Sequence, residues 1–158
     1  MTSIRNQIVW SVCGGAIISA AIVLAGGILL GDFFAARVNP LDTSVTVDMW
    51  RERYFWAIYA CAGGVAVLTS FWLLTAHRGS GLGSMSGIWH IVLVLAASVA
   101  GFLVGWLPPS LREGFGLAVS CVSLITVLAY WLATLLMTPE HYKYTPWLGF
   151  QLYGKKAS

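Results

Sequence analysis

Four long stretches of the chain carry no aspartate, glutamate, lysine or arginine: residues 8–30, 54–76, 87–107 and 115–137. Each is about 20 residues or slightly longer, which at a rise of about 1.5 Å per residue crosses a hydrocarbon core of roughly 30 Å. Backbone groups cannot stay unpaired in lipid, and the period-two alternation of barrel strands is absent. The pattern predicts an all-α integral membrane protein, a single membrane domain over residues 1–158 that forms a bundle of four transmembrane helices.

The connections between these stretches differ in kind. An extramembrane loop is predicted at 31–53, where Asp48 is placed to cap the second helix. A flexible Gly/Ser-rich loop follows the second span, and Pro108-Pro109 predicts a short hairpin between the third and fourth. The tail at 138–158 is rich in aromatic residues, which is typical of a segment lying on the membrane surface or against a partner.

Composition agrees with a lipid environment. Charged residues make up 9% of the chain, against about 25% in soluble proteins. The first apolar run is longer than the core of a cleaved signal peptide, so we expect it to be retained as a span. The net charge of +3 comes from basic residues scattered between apolar runs, which indicates membrane orientation rather than nucleic-acid binding.

The basic residues predict the orientation, and tryptophans mark the predicted helix ends. Five lysines and arginines fall on the side of the termini and four on the other, so both termini are predicted in the cytoplasm, in a bacterial inner membrane or its equivalent. The inner ends of the four spans carry indole rings, which prefer the headgroup region: Trp10, Trp72, Trp89 and Trp131.

Small residues at helical spacing predict close helix packing. The predicted packing positions on the third span and the start of the fourth are Gly83, Gly87, Ala97, Gly101, Gly105, Gly116, Ser120 and Ser123. Such residues let helix backbones approach, so a tight antiparallel pair of the last two spans is expected. Gly15 and Ser19 form a weaker pattern of the same kind on the first span.

His90 is the main candidate for chemistry, because no other ionisable residue except cysteine and tyrosine lies well inside a span. Its position predicts a buried hydrogen bond with Tyr130, Thr134 or a backbone carbonyl. A haem or metal ligand and a proton-relay or solute site are the alternatives for this residue. No cofactor or metal is predicted, and bound lipids are expected.

Several functional classes lack their required residues. No carboxylate lies within a span, as coupled transport usually needs, and hydrolase, phosphate-loop and zinc motifs are absent. The 3 cysteines lie within apolar runs and form no CxxC pair, so they are predicted to pack as small apolar residues. We therefore expect the protein not to be an enzyme.

The densest charge cluster precedes the second span. It and the aromatic tail supply the candidate contacts for other membrane subunits: Trp50, Arg51, Arg53, Trp147, Phe150 and Tyr153. The pattern Trp50-x-Glu52-Arg53-Tyr54 is similar to the entry of the second helix in small subunits of tripartite transporters, a family that is also four-helical and of similar size. This resemblance covers fewer than ten residues and implies a membrane component of a multi-subunit transporter.

Three functions follow as hypotheses. The first is a non-catalytic, accessory membrane subunit of a larger respiratory, photosynthetic, secretory or transporter complex. The second is a small-solute transporter, with Ser120, Ser123, Tyr130 and His90 lining a cavity. The third is a redox subunit that uses His90 as a haem ligand.

Overall fold

The computed structural model describes residues 4–35, 47–78, 92–93, 95–96 and 115–138. The long helices within these ranges are α1 (Ile4–Ala35), α2 (Val47–Arg78) and α3 (Phe115–Met137). All three are long and apolar enough to span a membrane. For this part of the sequence the prediction of an all-helical fold is confirmed, with helices that could span a membrane.

α1 and α2 are longer than the predicted spans. Each has 32 residues, or about 48 Å of helix, so each extends beyond a hydrocarbon core of roughly 30 Å. The predicted loop at 31–53 therefore gives its first residues to α1 and its last to α2. A charged residue ends the lipid-soluble stretch, but the backbone hydrogen bonds of a helix continue past it. Asp48 correspondingly lies within the first turn of α2 and not ahead of it, where a carboxylate still favours the positive end of the helix dipole.

The predicted span at 87–107 lies mostly outside the described residues. Val92, Leu93, Leu95 and Ala96 are helical, and Leu93 belongs to the buried apolar core. The Pro108-Pro109 hairpin and the aromatic tail also lie outside the described residues. The described residues therefore contain three helices long and apolar enough to span a membrane, and a fourth crossing remains a prediction.

α1 runs antiparallel to α2. Near its start, a Cβ added to Gly15 would contact Leu73, which lies towards the end of α2. Near its end, a Cβ added to Gly31 would lie 2.7 Å from Cε1 of Tyr54, which lies towards the start of α2.

α1 is also antiparallel to α3. A Cβ on Gly14 would lie 3.0 Å from Cε of Met137, and one on Gly26 would lie 3.0 Å from Cδ1 of Ile125. Since α2 and α3 both oppose α1, they are parallel to each other. The side-chain hydrogen bond from Trp72 of α2 to Thr138, just after α3, fits this direction.

A buried stripe on α1 makes this packing possible. It recurs every four residues and consists of Gly15, Ser19, Val23, Gly27 and Gly31. A four-residue period of small side chains is typical of a right-handed helix crossing with close backbones. At Gly27 an added Cβ would lie 2.9 Å from both Cδ1 and Cγ1 of Ile58, so the whole isoleucine side chain fills the space that a larger residue would need.

The contrast between two glycines tests this packing. We expect Gly27→Ala to destabilise the folded protein by about 1–3 kcal/mol, because the buried Ile58 side chain must move. Gly63→Ala is the matched control, since Gly63 is exposed on α2 with nothing within 4 Å of its added Cβ. Unfolding in mixed detergent micelles, followed by circular dichroism, measures both. An equal loss of stability in the two variants would contradict the role of the stripe.

Candidate functional site

Three of the five buried serine and threonine hydroxyls among the described residues bond to their own helix. Ser19 donates to the carbonyl of Ala16, at 3.0 Å, and Thr126 donates to that of Val122, at 2.8 Å. Serine and threonine commonly satisfy themselves in this way inside membrane helices, where water is absent. These hydroxyls therefore serve the fold locally.

Thr134 follows the same rule. Its hydroxyl donates to the carbonyls of Tyr130 and Trp131, at 2.8 and 3.0 Å. Thr134 and Tyr130 are both fully buried. The predicted partner of these two residues, His90, lies outside the described residues, so the contact between them stays a prediction.

Tyr54 makes the principal polar contact between α1 and α2. Its buried hydroxyl donates to the carbonyl oxygen of Gly27, at 2.8 Å. The ring lies against Gly31, one turn further along α1. The absence of side chains at both glycines lets the ring reach the α1 backbone, so close packing and the hydrogen bond depend on each other.

A second polar contact joins all three helices at the end where α1 starts and α3 stops. Ser11 of α1 donates to the carbonyl of Met137, at 2.7 Å, and Trp72 of α2 donates its indole N–H to the Thr138 hydroxyl, at 3.2 Å. The Thr138 hydroxyl in turn donates to the Thr134 carbonyl. We call Ser11, Trp72, Met137 and Thr138 the end cluster. Within it, Ser11 satisfies the carbonyl of Met137, the last residue of α3, which has no partner within the helix.

The end cluster departs from the tryptophan pattern of the sequence. Trp72 was expected at the lipid interface, but it is buried, with 2% of its surface exposed. Trp10 at the same end is 77% exposed, as a lipid-facing indole would be. Both positions look alike in sequence, and only the packing of α2 against its neighbours separates them.

Two buried hydroxyls, those of Thr69 and Ser123, have no hydrogen-bond partner among the described residues. The registers of α2 and α3 place these residues about eleven positions apart along the bundle axis, or about 16 Å at the rise of a helix. They therefore do not form one binding site. Within the described helices there is also no group of three or more His, Cys, Asp or Glu side chains that could hold a metal.

The opposite end of the bundle carries a charged pair. Arg51 of α2 lies 3.8 Å from Asp32 of α1, and their side chains are 50% and 79% exposed. At this distance and exposure the pair contributes no more than about 1 kcal/mol to stability. Glu52 and Arg53 are exposed beside it. This end therefore presents charge to its surroundings rather than using it to hold the fold.

Some of the predicted site residues lie within the described helices. α3 contains Gly116, the half-buried Ser120 and the buried Ser123. The first two turns of α2 contain Trp50, Arg51 and Arg53. The other predicted packing and partner positions lie outside the described residues: Gly83, Gly87, Ala97, Gly101, Gly105, Trp147, Phe150 and Tyr153.

The sequence reasoning missed the most closely packed surface. Gly27-xxx-Gly31 is a small-residue pair, and it continues the weaker Gly15–Ser19 pattern at the same four-residue spacing. The signal was therefore present in the sequence. Tyr54 carried no distinguishing signal, because its role depends on which helix it faces.

The arrangement defines a class, a helical protein with three helices that could span a membrane, joined by a few polar contacts between them. No known protein family, curated protein or solved structure matches the chain.

The Tyr54 bond can be tested with a matched pair of tyrosines. We expect Tyr54→Phe to lower the free energy of unfolding by about 0.5–1.5 kcal/mol, because the Gly27 contact is lost while the ring remains. Tyr59, 56% exposed on the same helix, is the control, and Tyr59→Phe should leave stability unchanged. Detergent unfolding measures both variants. No difference between them would mean that the bond contributes nothing.

The end cluster predicts an energetic coupling between α2 and the end of α3. Trp72→Phe and Thr138→Val should each destabilise the protein, and the double variant should cost less than the sum, by about 0.5–1.5 kcal/mol. A double-mutant cycle in the same unfolding assay measures this coupling. Strict additivity would show that the indole and the hydroxyl do not interact.

Proposed function

We propose that the protein is a non-catalytic integral membrane subunit, a four-helix bundle that assembles with other chains in a larger membrane complex. The observation that carries the proposal is the uncovered surface of α1. In its most apolar 18-residue window 22% of the residues are buried, against 44% in α2 and α3. α1 packs against both neighbours, and the side of α1 opposite its buried stripe is exposed.

The free surface of α1 has a suitable shape for another helix. Ile17, Ala21, Ala25 and Leu29 recur every four residues on the side opposite the buried stripe, and all are exposed. The two alanines form a shallow strip between larger side chains. Small residues at this spacing allow a neighbouring backbone to come close, which is how membrane helices gain dispersion contacts.

The polar interior favours a structural role over a catalytic one. The hydroxyls of Ser19, Thr126 and Thr134 are engaged with carbonyls of their own helices. Tyr54 is engaged with the Gly27 carbonyl of α1. Among the described residues the first three bonds serve single helices, the Tyr54 bond joins two helices, and none of them converges on a reacting group.

The chain ends support the proposed orientation. Because Ser11 bonds to Met137, the start of α1 and the end of α3 lie on the same side of the bundle. Both termini would then lie in the cytoplasm by the distribution of lysine and arginine. The exposed Arg51 and Arg53 would face the other side, where they are candidates for contact with a partner subunit.

The two other hypotheses depend on His90, which lies outside the described residues. A solute cavity would require Ser120, Ser123 and Tyr130 of α3 to converge with it, and a redox role would require it to bind haem. Neither hypothesis is favoured by a contact in the described helices, so both remain alternatives. Under all three hypotheses we expect lipid to bind along the exposed helix surfaces.

A bulky substitution on α1 tests the assembly. A leucine facing lipid is tolerated, whereas a leucine between two close helices separates them. We expect Ala21→Leu with Ala25→Leu to reduce the mass of the particle extracted from native membranes by an amphipathic polymer, measured by native mass spectrometry. The isolated chain should keep its stability in detergent.

Ala60→Leu is the matched control, because Ala60 is exposed on α2, away from this strip. Its particle should have the wild-type mass. The proposal fails if the wild-type chain is extracted as a monomer, or if the α1 variant retains every partner. Identification of the co-extracted chains would then name the complex.

A further inference from the structure

The three described helices do not occupy equivalent positions. α1 packs extensively against both α2 and α3, whereas these two contact each other less. In a bundle of up-and-down helices this pattern means that α2 and α3 are both neighbours of α1 and lie diagonally across from each other. The corner opposite α1, between α2 and α3, is thus the position that the described long helices leave open.

The connection between α2 and α3 must pass from one side of the membrane to the other. α2 ends at Arg78, at the end where Trp72 reaches Thr138, and α3 begins at Phe115, at the opposite end. Parallel spanning helices cannot be joined on one side only. If both helices span the membrane, we expect the 36 residues between them to cross it once more, and a crossing exposed to lipid must be helical.

One residue of this connection, Leu93, indicates where the connection packs against the bundle. Leu93 is 8% exposed and belongs to the same buried cluster as Trp72 of α2 and Tyr130 of α3. Val92 and Leu95 next to it are 42% and 57% exposed. One side of this short stretch thus faces the core and the other faces outwards, as a helix at the edge of a bundle requires.

We infer that the surface between α2 and α3, on the side away from α1, is the docking surface for residues 87–107 of the same chain, with Leu93 as the inward contact. This inference rests on the four-crossing fold of the proposed function and adds the position of the fourth helix. The occupant of this docking surface is a segment of this chain rather than a partner, because the chain must cross the membrane again between α2 and α3. The 87–107 segment is also long enough for one such crossing.

The first measurement concerns the crossing itself. Ser80→Cys and Ser110→Cys, each in the full chain, would be labelled with a membrane-impermeant maleimide from either side of sealed vesicles. The native cysteines lie within the spanning helices, where the reagent does not reach. Labelling of the two positions from opposite sides is expected. Labelling from the same side would overturn the four-crossing fold, and the docking surface with it.

The second measurement concerns the docking surface alone. A small diazirine amino acid placed at position 93 should cross-link to α2 or α3 of the same chain, mapped by mass spectrometry after proteolysis. The same group at position 95 is the matched control and should react with lipid. If the two maleimide positions lie on opposite sides but position 93 cross-links to lipid, to the outer side of α1 or to another chain, the docking surface is wrong and the crossing stands.

Leu93→Ala gives a readout that needs no unnatural residue. Removing a buried leucine side chain should shift the midpoint of detergent unfolding clearly towards less denaturing conditions, whereas Leu95→Ala should leave the midpoint almost unchanged. Equal effects of the two substitutions would contradict the inward placement of Leu93.

Discussion

The structure depends on how closely α1 approaches its two neighbours. In lipid there is no hydrophobic driving force between helices, so association relies on dispersion, which falls off steeply with separation. Glycines at 15, 27 and 31 remove the side chains that would otherwise hold α1 away from α2. The Tyr54–Gly27 hydrogen bond and the end cluster both follow from that approach. Tyr54 can reach the Gly27 carbonyl only because no side chain of α1 covers that carbonyl. The end cluster forms only because the three helices meet at that end of the bundle.

The hydrogen bonds then give the packing its specificity. Dispersion along a glycine stripe would tolerate a shift of one turn, because the small residues repeat every four positions. The Tyr54–Gly27 bond fixes the register at one end, and the bonds of Ser11 and Trp72 fix it at the other. The α1 contacts at Ser11 and Gly27 lie about 24 Å apart along the helix, so together they constrain its translation and its tilt. Few polar bonds are needed, because each is made where water cannot compete.

The sequence predicted the helices whose existence follows from lipid as the surrounding solvent. Long charge-free runs must be helices in lipid, and the run at 115–137 coincides with α3. It did not predict where α1 and α2 end, because charges such as Asp32 and Arg51 limit the contact with lipid but not the helix. It also did not separate Trp72 from Trp10, since burial depends on which side of a helix meets another. On the first span the small-residue pattern predicted packing only at Gly15 and Ser19, although the same four-residue spacing continues to Gly27 and Gly31.

The distribution of bonds also bears on function. A protein that moves a solute or a proton needs polar groups that change partners, whereas the described hydroxyls of Ser19, Thr126 and Thr134 are held by their own helices. These bonds lie within single helices, so they persist whether or not the helices shift and provide no exchange of partners between helices. The same helices leave one side of α1 exposed and place Arg51 and Arg53 outside the apolar region. This exposed side of α1 suits the proposed role, because a chain that supports other chains needs a surface that its own fold does not use.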